Sequence, residues 1–285
     1  MKYRVQIWIR SFFGKHFLCI GVLILILCSN PVRSEEPVYP FVPGERLTYN
    51  LSWGAFSVGK VMVEVGGPIS VNGIMCYKFS FIVKSNKFTD TFYKVRDKIN
   101  GYVDLELKRS IYYTKKQREG NHKRDVIVDF DWKSKHATYT NFGQEHKAIP
   151  LPESAYDPLT ILFVARLQSL KVGRPFTLPV TDGKQYIDSK VHVIKKETIH
   201  TELGKFNTFL LQPGLDGIGG VFKKSKNANI RIWFSDDHYK IPIKLKSKVA
   251  IGSFRAVLVS IDRPDNYEHI VLGDPPIISS NLNEG

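Results

Sequence analysis

Apolar and polar residues alternate along most of this chain, with the period of two that is typical of extended strands burying one face. In the segment 46–53, Leu47, Tyr49 and Leu51 are separated by polar residues. The pattern recurs at Val61-Val63-Val65, Tyr77-Phe79-Phe81-Val83, Val126-Val128-Phe130-Trp132, Ile230-Ile232-Phe234 and Ile241-Ile243-Leu245. The sequence therefore predicts a mainly β protein.

Turn-forming pairs lie between these runs. They include Asn72-Gly73, Asn100-Gly101 and Asp182-Gly183, and such pairs favour tight hairpins between antiparallel strands. The regular alternation of strands and helices that builds a parallel sheet does not occur in the sequence. This argues against a nucleotide-binding α/β domain and predicts antiparallel sheets.

One segment has a helical period instead. Its apolar residues are Leu159, Leu162, Phe163, Leu167 and Leu170. Asp157 is placed to cap such a helix, Pro158 suits its first position, and Gly173 follows its end. We therefore expect a single helix near 158–171.

The helix separates two similar β halves, about 40–150 and 174–262, within a single β-rich domain spanning 35–262. Its apolar face must be buried against a sheet, so it either plugs a curved sheet or lies between the two halves. Residues 263–285 are rich in Pro, Asn, Gly and Ser, and this composition predicts a flexible tail.

The segment 1–34 has the layout of a secretory signal peptide. Basic residues precede an apolar block from Phe17 to Cys28, and no acidic residue occurs before Glu35. The block has 12 residues, whereas a bilayer-spanning helix needs about 20, so we expect cleavage and export. The predicted location is the periplasm or the periplasmic face of the outer membrane. Lipidation of Cys28 is an alternative, although the preceding Leu25-Ile26-Leu27 is bulkier than such a site requires.

The chain is basic even without this segment. It has 41 Lys and Arg against 27 Asp and Glu, and five of the basic residues lie in 1–34. The remaining excess favours lipid head groups, lipopolysaccharide phosphates or anionic glycans as partners rather than nucleic acid. A charge that merely keeps the protein soluble is the alternative.

Signatures of catalysis were sought and are missing from the sequence. It contains no G-x-S-x-G, H-E-x-x-H, Cys-x-x-Cys or P-loop pattern, which would place a nucleophile, a metal or a phosphate. We therefore expect no enzyme, no catalytic residue, no metal site and no cofactor. Asp236-Asp237-His238 suits a turn better than acid–base chemistry, and Cys76, the one cysteine after the signal, suits a packed thiol.

Two sets of residues are candidates for ligand binding. Aromatic residues crowd the first half and either line an apolar cavity or simply fill the core; the candidates are Trp53, Tyr77, Phe79 and Phe81. Lys244, Lys246 and Lys248 alternate with apolar residues, so they form a row on one strand face. That row either binds anionic groups or discourages aggregation between sheet edges.

Four short motifs occur in order along the chain. They are Gly44-Glu45-Arg46-Leu47-Thr48-Tyr49 with Gly59 downstream, Tyr156-Asp157-Pro158-Leu159, Glu197-Thr198-Ile199 followed by Gly204-Lys205-Phe206, and Ile232-Trp233-Phe234-Ser235-Asp236-Asp237 running into Ile241-Pro242-Ile243. Over roughly 40–262 their order and spacing resemble the domain-of-unknown-function family 3108, an exported bacterial family. The resemblance implies an exported β-rich domain without an established activity, and it transfers no functional residue. By fold analogy it also implies a curved or partly open barrel, as in periplasmic carriers that shelter lipid.

Three functional hypotheses follow. The first is a non-catalytic envelope protein that binds an amphiphile, such as a lipid or lipopolysaccharide, or an anionic envelope polymer. The second is an assembly or scaffold factor that binds another envelope protein, for example by offering a strand edge. The third is a hydrolase whose catalytic residues match no known pattern.

Overall fold

A single antiparallel sheet forms most of the protein. The computed structural model describes residues 39–214, 228–249 and 252–264. The predicted signal at 1–34 and the predicted tail beyond 264 lie outside these residues. The strands are β1 (Arg46–Trp53), β2 (Phe56–Val71), β3 (Ile74–Ser85), β4 (Arg96–Asp104), β5 (Ser110–Glu119), β6 (His122–Asp131), β7 (His136–Asn141), β8 (Gln144–Glu145), β9 (Ile149–Pro150), β10 (Phe176–Thr181), β11 (Tyr186–Thr201), β12 (Gly204–Pro213), β13 (Asn229–Ser235), β14 (Pro242–Val249) and β15 (Gly252–Asp262). The two helices of the described residues are α1 (Lys87–Asp90) and α2 (Thr160–Arg166).

Neighbouring strands in the sheet are nearly always neighbours in sequence. The order is β10-β11-β12-β13-β14-β15-β1-β2-β3-β4-β5-β6-β7-β8, and β9 also pairs with β7. Apart from the two-residue strand β9, the exception is the ladder between β1 and β15, which runs from the pair Arg46 and Asp262 to the pair Trp53 and Phe254. This ladder joins the strands before α2 to the strands after it, so the two sets form one continuous sheet. The predicted mainly β, antiparallel, barrel-like fold is confirmed.

The sheet curves until its β10 edge meets other parts of the chain. Tyr156 pairs with the outer edge of β10, where its N–H donates to the Pro179 carbonyl at 2.9 Å. The β10–β11 turn packs on the inner face of β6 and β7. A Cβ atom on Gly183 of that turn would lie 2.8 Å from Val128 and 3.1 Å from Tyr139. The sheet therefore encloses an interior.

The alternating apolar residues fill that interior. Leu47, Val63, Phe79 and Val128 are each less than 5 % exposed, and they belong to one continuous hydrophobic cluster that includes residues from both ends of the chain. The exposed faces of the same strands are largely polar. The period of two in the sequence is thus the period of burial in the structure.

A buried aspartate lies just before helix α2. Asp157 is fully buried, and its carboxylate accepts hydrogen bonds from the N–H groups of Leu159 (2.8 Å) and Thr160 (2.9 Å). It also accepts hydrogen bonds of 2.6 Å from the hydroxyls of Ser110 and Thr160. The predicted capping role of Asp157 is confirmed.

The helix ends earlier than the predicted boundary of 171. After Arg166 the chain leaves the helix for a turn around Gly173, which has φ of 79° and donates its N–H to the Val193 carbonyl at 2.9 Å. The apolar residues Leu167 and Leu170 continue the helical spacing but lie between the last helical residue and this turn. Spacing alone therefore overestimates the helix length.

A buried ion pair fixes the other end of α2. The side chains of Arg166 and Glu45 are each 1 % exposed, and Nη1 of Arg166 lies 2.6 Å from Oε1 of Glu45. Arg166 also donates to the carbonyls of Pro40 (2.6 Å) and Tyr239 (3.0 Å), and Arg263 approaches the same carboxylate at 2.8 Å. The segment 40–45 and Tyr239 thus contact the last residue of the helix directly, and Arg263 reaches it through Glu45.

Two local predictions were wrong. The four-residue helix α1 was not foreseen; Asn86 caps it by accepting the N–H of Thr89 at 2.8 Å. Asn100-Gly101 was predicted as a turn but lies within β4. Glycine is needed there for close packing, because a Cβ atom on Gly101 would lie 2.7 Å from the carboxylate of Asp157 and from the hydroxyl of Thr160.

Replacing Gly101 by alanine should therefore destabilise the protein. The added methyl group would push against the buried start of α2, and such overpacking costs about 1–3 kcal/mol. Urea denaturation of Gly101→Ala measures this loss. The matched control is Gly67→Ala in β2, where an added Cβ meets no atom within 4 Å. Equal stability of the two variants would contradict the close packing.

Candidate ligand-binding cavity

Helix α2 divides the interior into a packed side and a hollow side. On the packed side Phe163 stacks on Phe79 with 3.7 Å between ring centroids, and Phe41 meets both rings edge-on at 5.4 Å. On the other side Leu159 and Leu162 border a cavity of about 460 Å³. The cavity is only partly enclosed, so its apolar lining is open to water unless something covers it, and this requires an explanation.

Apolar side chains from three parts of the fold line the cavity. They are Phe81, Ile99 and Tyr113 from β3 to β5, Leu159, Ile161, Leu162 and Ala165 from the helical segment, and Leu178, Val180, Ile187, Val191, Leu211, Ile230, Ile232, Phe234 and Leu245 from β10 to β14. Several of them, including Leu162, Ile187 and Leu245, are only half-buried, because they border open space. The apolar side chains in this part of the interior are therefore not fully packed against one another.

The polar groups of the cavity come mainly from the β10–β11 hairpin. They are Thr181, Asp182, Gln185 and Ser189. The carboxylate of Asp182 accepts the N–H groups of Lys184 and Gln185, and the hydroxyl of Thr181 donates to the Gln185 carbonyl at 2.7 Å. The cavity thus has an apolar body and one polar end.

Lys115 lies in the same inward-facing row as two cavity-lining residues. Lys115 pairs with Ile99 across β4 and β5, and Ile99 pairs with Phe81 across β3 and β4. Paired residues project to the same face of a sheet, so the half-buried side chain of Lys115 points inward beside the cavity wall. No carboxylate among residues 39–214, 228–249 and 252–264 lies within 4 Å of its ammonium group.

Burial and nearby charged groups shift the pKa of Lys115. Burial lowers the pKa of Lys115 and the charge of Arg124 lowers it further, whereas Asp97, Glu119 and Asp182 raise it. Asp182 lines the cavity, as does Tyr113, which lies two residues before Lys115 on the same face of β5. A ligand at the polar end would therefore meet both charges.

Asp97 is the acid most affected by this environment. It is 8 % exposed, and burial raises its pKa to about 6, although the N–H of Arg118 donates to its carboxylate at 2.8 Å and opposes this shift. The charge of Glu119 raises the pKa as well. Near pH 6 Asp97 therefore carries only part of a negative charge, and it compensates Lys115 incompletely.

The four aromatic candidates from the sequence lie in different environments. Phe81 lines the cavity, and Phe79 is buried against α2. Tyr77 is half-buried and meets Phe41 edge-on at 6.4 Å between ring centroids. Trp53 is 48 % exposed at the end of β1. The structure thus brings one of the four into the cavity.

The lysine row of β14 lies on the outer face of the sheet. Leu245 of the same strand lines the cavity, so Lys244, Lys246 and Lys248 project away from it. The ammonium group of Lys244 lies 4.8 Å from the ring centroid of Trp233, and burial lowers its pKa, with further lowering by Arg255 and Lys246. The aromatic and lysine candidates therefore do not form one site.

Sequence analysis missed the walls that β10 and β11 contribute. On the inner face of β11, Ser189 lies between Ile187 and Val191 and interrupts the apolar pattern that marks a buried strand face. This interruption is explained by the cavity, because a hydroxyl there borders open space rather than the packed core. Lys115 interrupts the apolar pattern on the inner face of β5 in the same way, and it too lies beside the cavity.

Other polar clusters have structural roles. Asp236-Asp237-His238 lies in the loop between β13 and β14; Asp236 pairs with Lys196 at 2.7 Å, and Asp237 accepts the hydroxyl of Ser235 and the N–H of Lys240. Cys76 is fully buried, and burial raises the pKa of its thiol to about 11.

The described residues contain neither a cluster of metal ligands nor a helix that could span a membrane. Nowhere in the described part of the chain do three or more metal-ligating side chains come together. Neither α1 nor α2, the helices of that part, has the length and apolarity needed to cross a bilayer.

Comparison with known proteins places the chain among domains without an assigned activity. A family model described as "Protein of unknown function (DUF3108)" matches residues 48–259. Among solved structures, the fold is similar to the crystal structure of a beta-barrel-like protein of the domain of unknown function DUF1849 from Brucella abortus. The TM-score is 0.55 at 12 % sequence identity, and the match covers 80 % of this chain and 100 % of the other. No curated protein matches the sequence.

The raised pKa of Asp97 predicts a pH-dependent effect of its substitution. Because its pKa is about 6 in the folded protein against an ordinary value of 3.8, the folded state holds the proton more tightly. Ionisation therefore costs stability as the pH rises from about 4 to about 6. Relative to the unsubstituted protein, Asp97→Asn should gain free energy of unfolding between pH 4.5 and pH 7.5, measured by urea denaturation.

The control for this measurement is Asp131→Asn. Hydrogen bonds from Ser134 and Lys133 hold the pKa of Asp131 below its ordinary value, so Asp131 is ionised at both pH values. Its substitution should change stability by the same amount at each. A pH-independent effect of Asp97→Asn would show that Asp97 is ionised throughout.

Proposed function

The chain belongs to the DUF3108 family, and from the partly open cavity bordered by its sheet we propose that it is an exported, non-catalytic protein that binds an amphiphile. The apolar part of the ligand occupies the cavity, and an anionic group lies at the polar end beside Lys115. The protein acts in the cell envelope, where the predicted signal would deliver it. Its partners are lipids or similar amphiphiles rather than nucleic acid.

The observation that carries this proposal is the size and lining of the cavity. A volume of about 460 Å³ falls within the range of small-molecule sites, roughly 300–1,000 Å³, which are mostly apolar with a few polar groups. Burying each methylene of a ligand there gains about 0.8 kcal/mol. An alkyl chain therefore matches the cavity better than a sugar or a nucleotide does.

Lys115 supports an anionic head group. Its half-buried ammonium group has acidic neighbours that influence its pKa but none within ion-pair distance in the described part of the chain. A carboxylate or phosphate would supply that contact, and a charge-assisted hydrogen bond is stronger than a neutral one. The ligand class is thus an anionic amphiphile.

The strand-edge alternative has less support. At one end of the sheet β7 is covered by the two-residue strands β8 and β9, and at the other end β10 pairs with Tyr156 on its outer side. A partner protein that adds a strand needs a long unpaired edge. The cavity, by contrast, offers a surface that no described residue fills.

Filling the cavity should abolish ligand binding. Ile187→Trp on β11 places an indole into the cavity, whereas Ile194→Trp places the same group on the same strand at a residue that is 45 % exposed. We expect the affinity for fluorescently labelled palmitate to fall at least roughly tenfold in the first variant, since the apolar contacts of the chain are lost. The second variant should bind as the unsubstituted protein does.

Native mass spectrometry of the purified protein tests the same point without a label. Co-purified lipid should be present in the unsubstituted protein and in Ile194→Trp but missing from Ile187→Trp. If Ile187→Trp folds and still binds palmitate with full affinity, the cavity is not the site.

Removing the charge of Lys115 should weaken binding of anionic ligands alone. Lys115→Met keeps the apolar stem, and loss of the charge-assisted contact, about 1.5–3 kcal/mol, corresponds to roughly tenfold or more in palmitate affinity. Affinity for the uncharged hexadecanol should stay the same. The control is Lys116→Met, since Lys116 is exposed and projects to the opposite face. Equal losses for both ligands would contradict a head-group role.

A further inference from the structure

Exposed aromatic side chains gather at one end of the sheet. Among the described residues, the exposed aromatics are Trp53, Phe56, Phe88, Phe92, Tyr93 and Phe142, with exposed fractions between 48 and 78 %. Antiparallel pairing places the β1–β2, β3–β4, β5–β6 and β7–β8 connections at the same end. All six residues lie in or beside these connections, and we call them the aromatic rim.

Hydrogen bonds tie the connections of the rim together. Asn86, which caps α1, donates its side-chain amide to the Ser57 carbonyl at 2.7 Å, so α1 lies beside the start of β2. The β5–β6 turn is joined to the segment after α1, because Gly120 donates its N–H to the Lys94 carbonyl at 2.9 Å. The ring of Tyr93 packs over Gly120, where a Cβ atom would lie 2.8 Å from it. The rim is therefore a fixed surface.

The opposite end of the sheet has a different character. It contains the buried pair of Arg166 and Glu45 that anchors α2, and the exposed apolar residues of its β2–β3 hairpin are the aliphatic Ile69, Ile74 and Met75. Large exposed apolar groups concentrated on one surface mark an interaction site rather than a packing requirement. The asymmetry between the ends thus points to the rim.

The positive charge around the aromatic rim indicates a partner with a negatively charged surface. Lys84, Lys87, Lys94 and Lys123 are exposed around the aromatic residues. Of the neighbouring acids, Asp90 is paired with Arg96 at 2.5 Å and Asp125 lies 3.7 Å from Arg118. Trp and Tyr prefer the interfacial region of a bilayer, Phe buries apolar surface at the head-group boundary, and lysines near the surface add attraction to anionic lipids. A bilayer with anionic head groups complements both features.

The cavity lies next to this end. Phe81, which lines it, is four residues before Ser85, where β3 ends and the α1 segment begins. Lys115 is four residues before the end of β5 at the same rim. A molecule leaving the cavity in this direction would reach the aromatic residues.

We propose that the aromatic rim docks on the surface of an anionic lipid bilayer, with its aromatic side chains in the interfacial region and its lysines against lipid phosphates. Docking in this orientation places the cavity toward the membrane. The docking surface is separate from the cavity residues, so it can be tested independently of the proposed ligand.

The test is flotation of the purified protein with vesicles. The unsubstituted protein should bind phosphatidylglycerol vesicles, bind phosphatidylcholine vesicles less, and be released from the former by salt, because surface charges are screened. The double variant Phe88→Ser/Phe92→Ser should lose roughly tenfold or more of its vesicle affinity, since two interfacial aromatics are removed. The matched control Ile74→Ser/Met75→Ser, at the opposite end, should bind as the unsubstituted protein does.

Two further measurements separate the outcomes. Both double variants replace exposed residues and should unfold at the same temperature and bind labelled palmitate in solution unchanged. Ile187→Trp should still float with the vesicles, even though it loses palmitate. Equal flotation of the two double variants, or no flotation of the unsubstituted protein with phosphatidylglycerol, would overturn the proposal. A rim-dependent dimer in sedimentation velocity without vesicle binding would overturn it in favour of a second copy as the partner.

Discussion

The interior of this protein depends on a short helix that buried polar contacts hold at both ends. Asp157 satisfies the first N–H groups of α2 and bonds Ser110 of β5, while Arg166 pairs with Glu45 and two backbone carbonyls. The helix has seven residues, and isolated helices of this length are unstable in water. Its stability therefore comes from the sheet around it. Separating a buried charge from its partner costs about 3–5 kcal/mol, so the helix cannot shift without a large penalty.

This fixed position decides which part of the interior is solid. The side of α2 that carries Phe163 is pressed against Phe79 and Phe41, and the close approach of Gly101 to Asp157 leaves no space at the start of the helix. The side that carries Leu159 and Leu162 faces strands that curve away, and the cavity opens there. The cavity thus results from how the helix is anchored, and apolar side chains line it because they belong to the same inward faces that build the core.

Sequence alone predicted what depends on local pattern. Alternation identified the strands and their buried faces, and the spacing from Asp157 onward identified the helix and its cap. The cavity could not be predicted, because it depends on contacts between distant residues: Ser110 and Asp157 are 47 positions apart, and Glu45 and Arg166 are 121 apart. The alternation of Tyr113, Lys115 and Gln117 with the residues between them fixes which face Lys115 occupies, but not that this face borders open space. Asn100-Gly101 shows that a local pattern can also mislead. An Asn-Gly pair is typical of a turn, but here it lies inside a strand, where the glycine permits close packing against Asp157.

The features that do not stabilise the fold lie on one side of α2. Toward the Glu45 end Arg166 is paired with Glu45, Asp157 is hydrogen-bonded, and the rings of Phe163 and Phe79 are stacked. Toward the aromatic rim there is unfilled apolar volume, an inward ammonium group beside an acid whose raised pKa weakens its charge, and aromatic surface in water. Each of these features lowers the stability of the fold. Residues that line a void have fewer van der Waals contacts, and a half-buried charge is less well hydrated than one in water. Exposed aromatic side chains do not contribute the hydrophobic stabilisation that burial would give. The occupants proposed above would remove these costs together: an alkyl chain would fill the volume, its anionic group would contact the lysine, and a lipid surface would cover the aromatic rim.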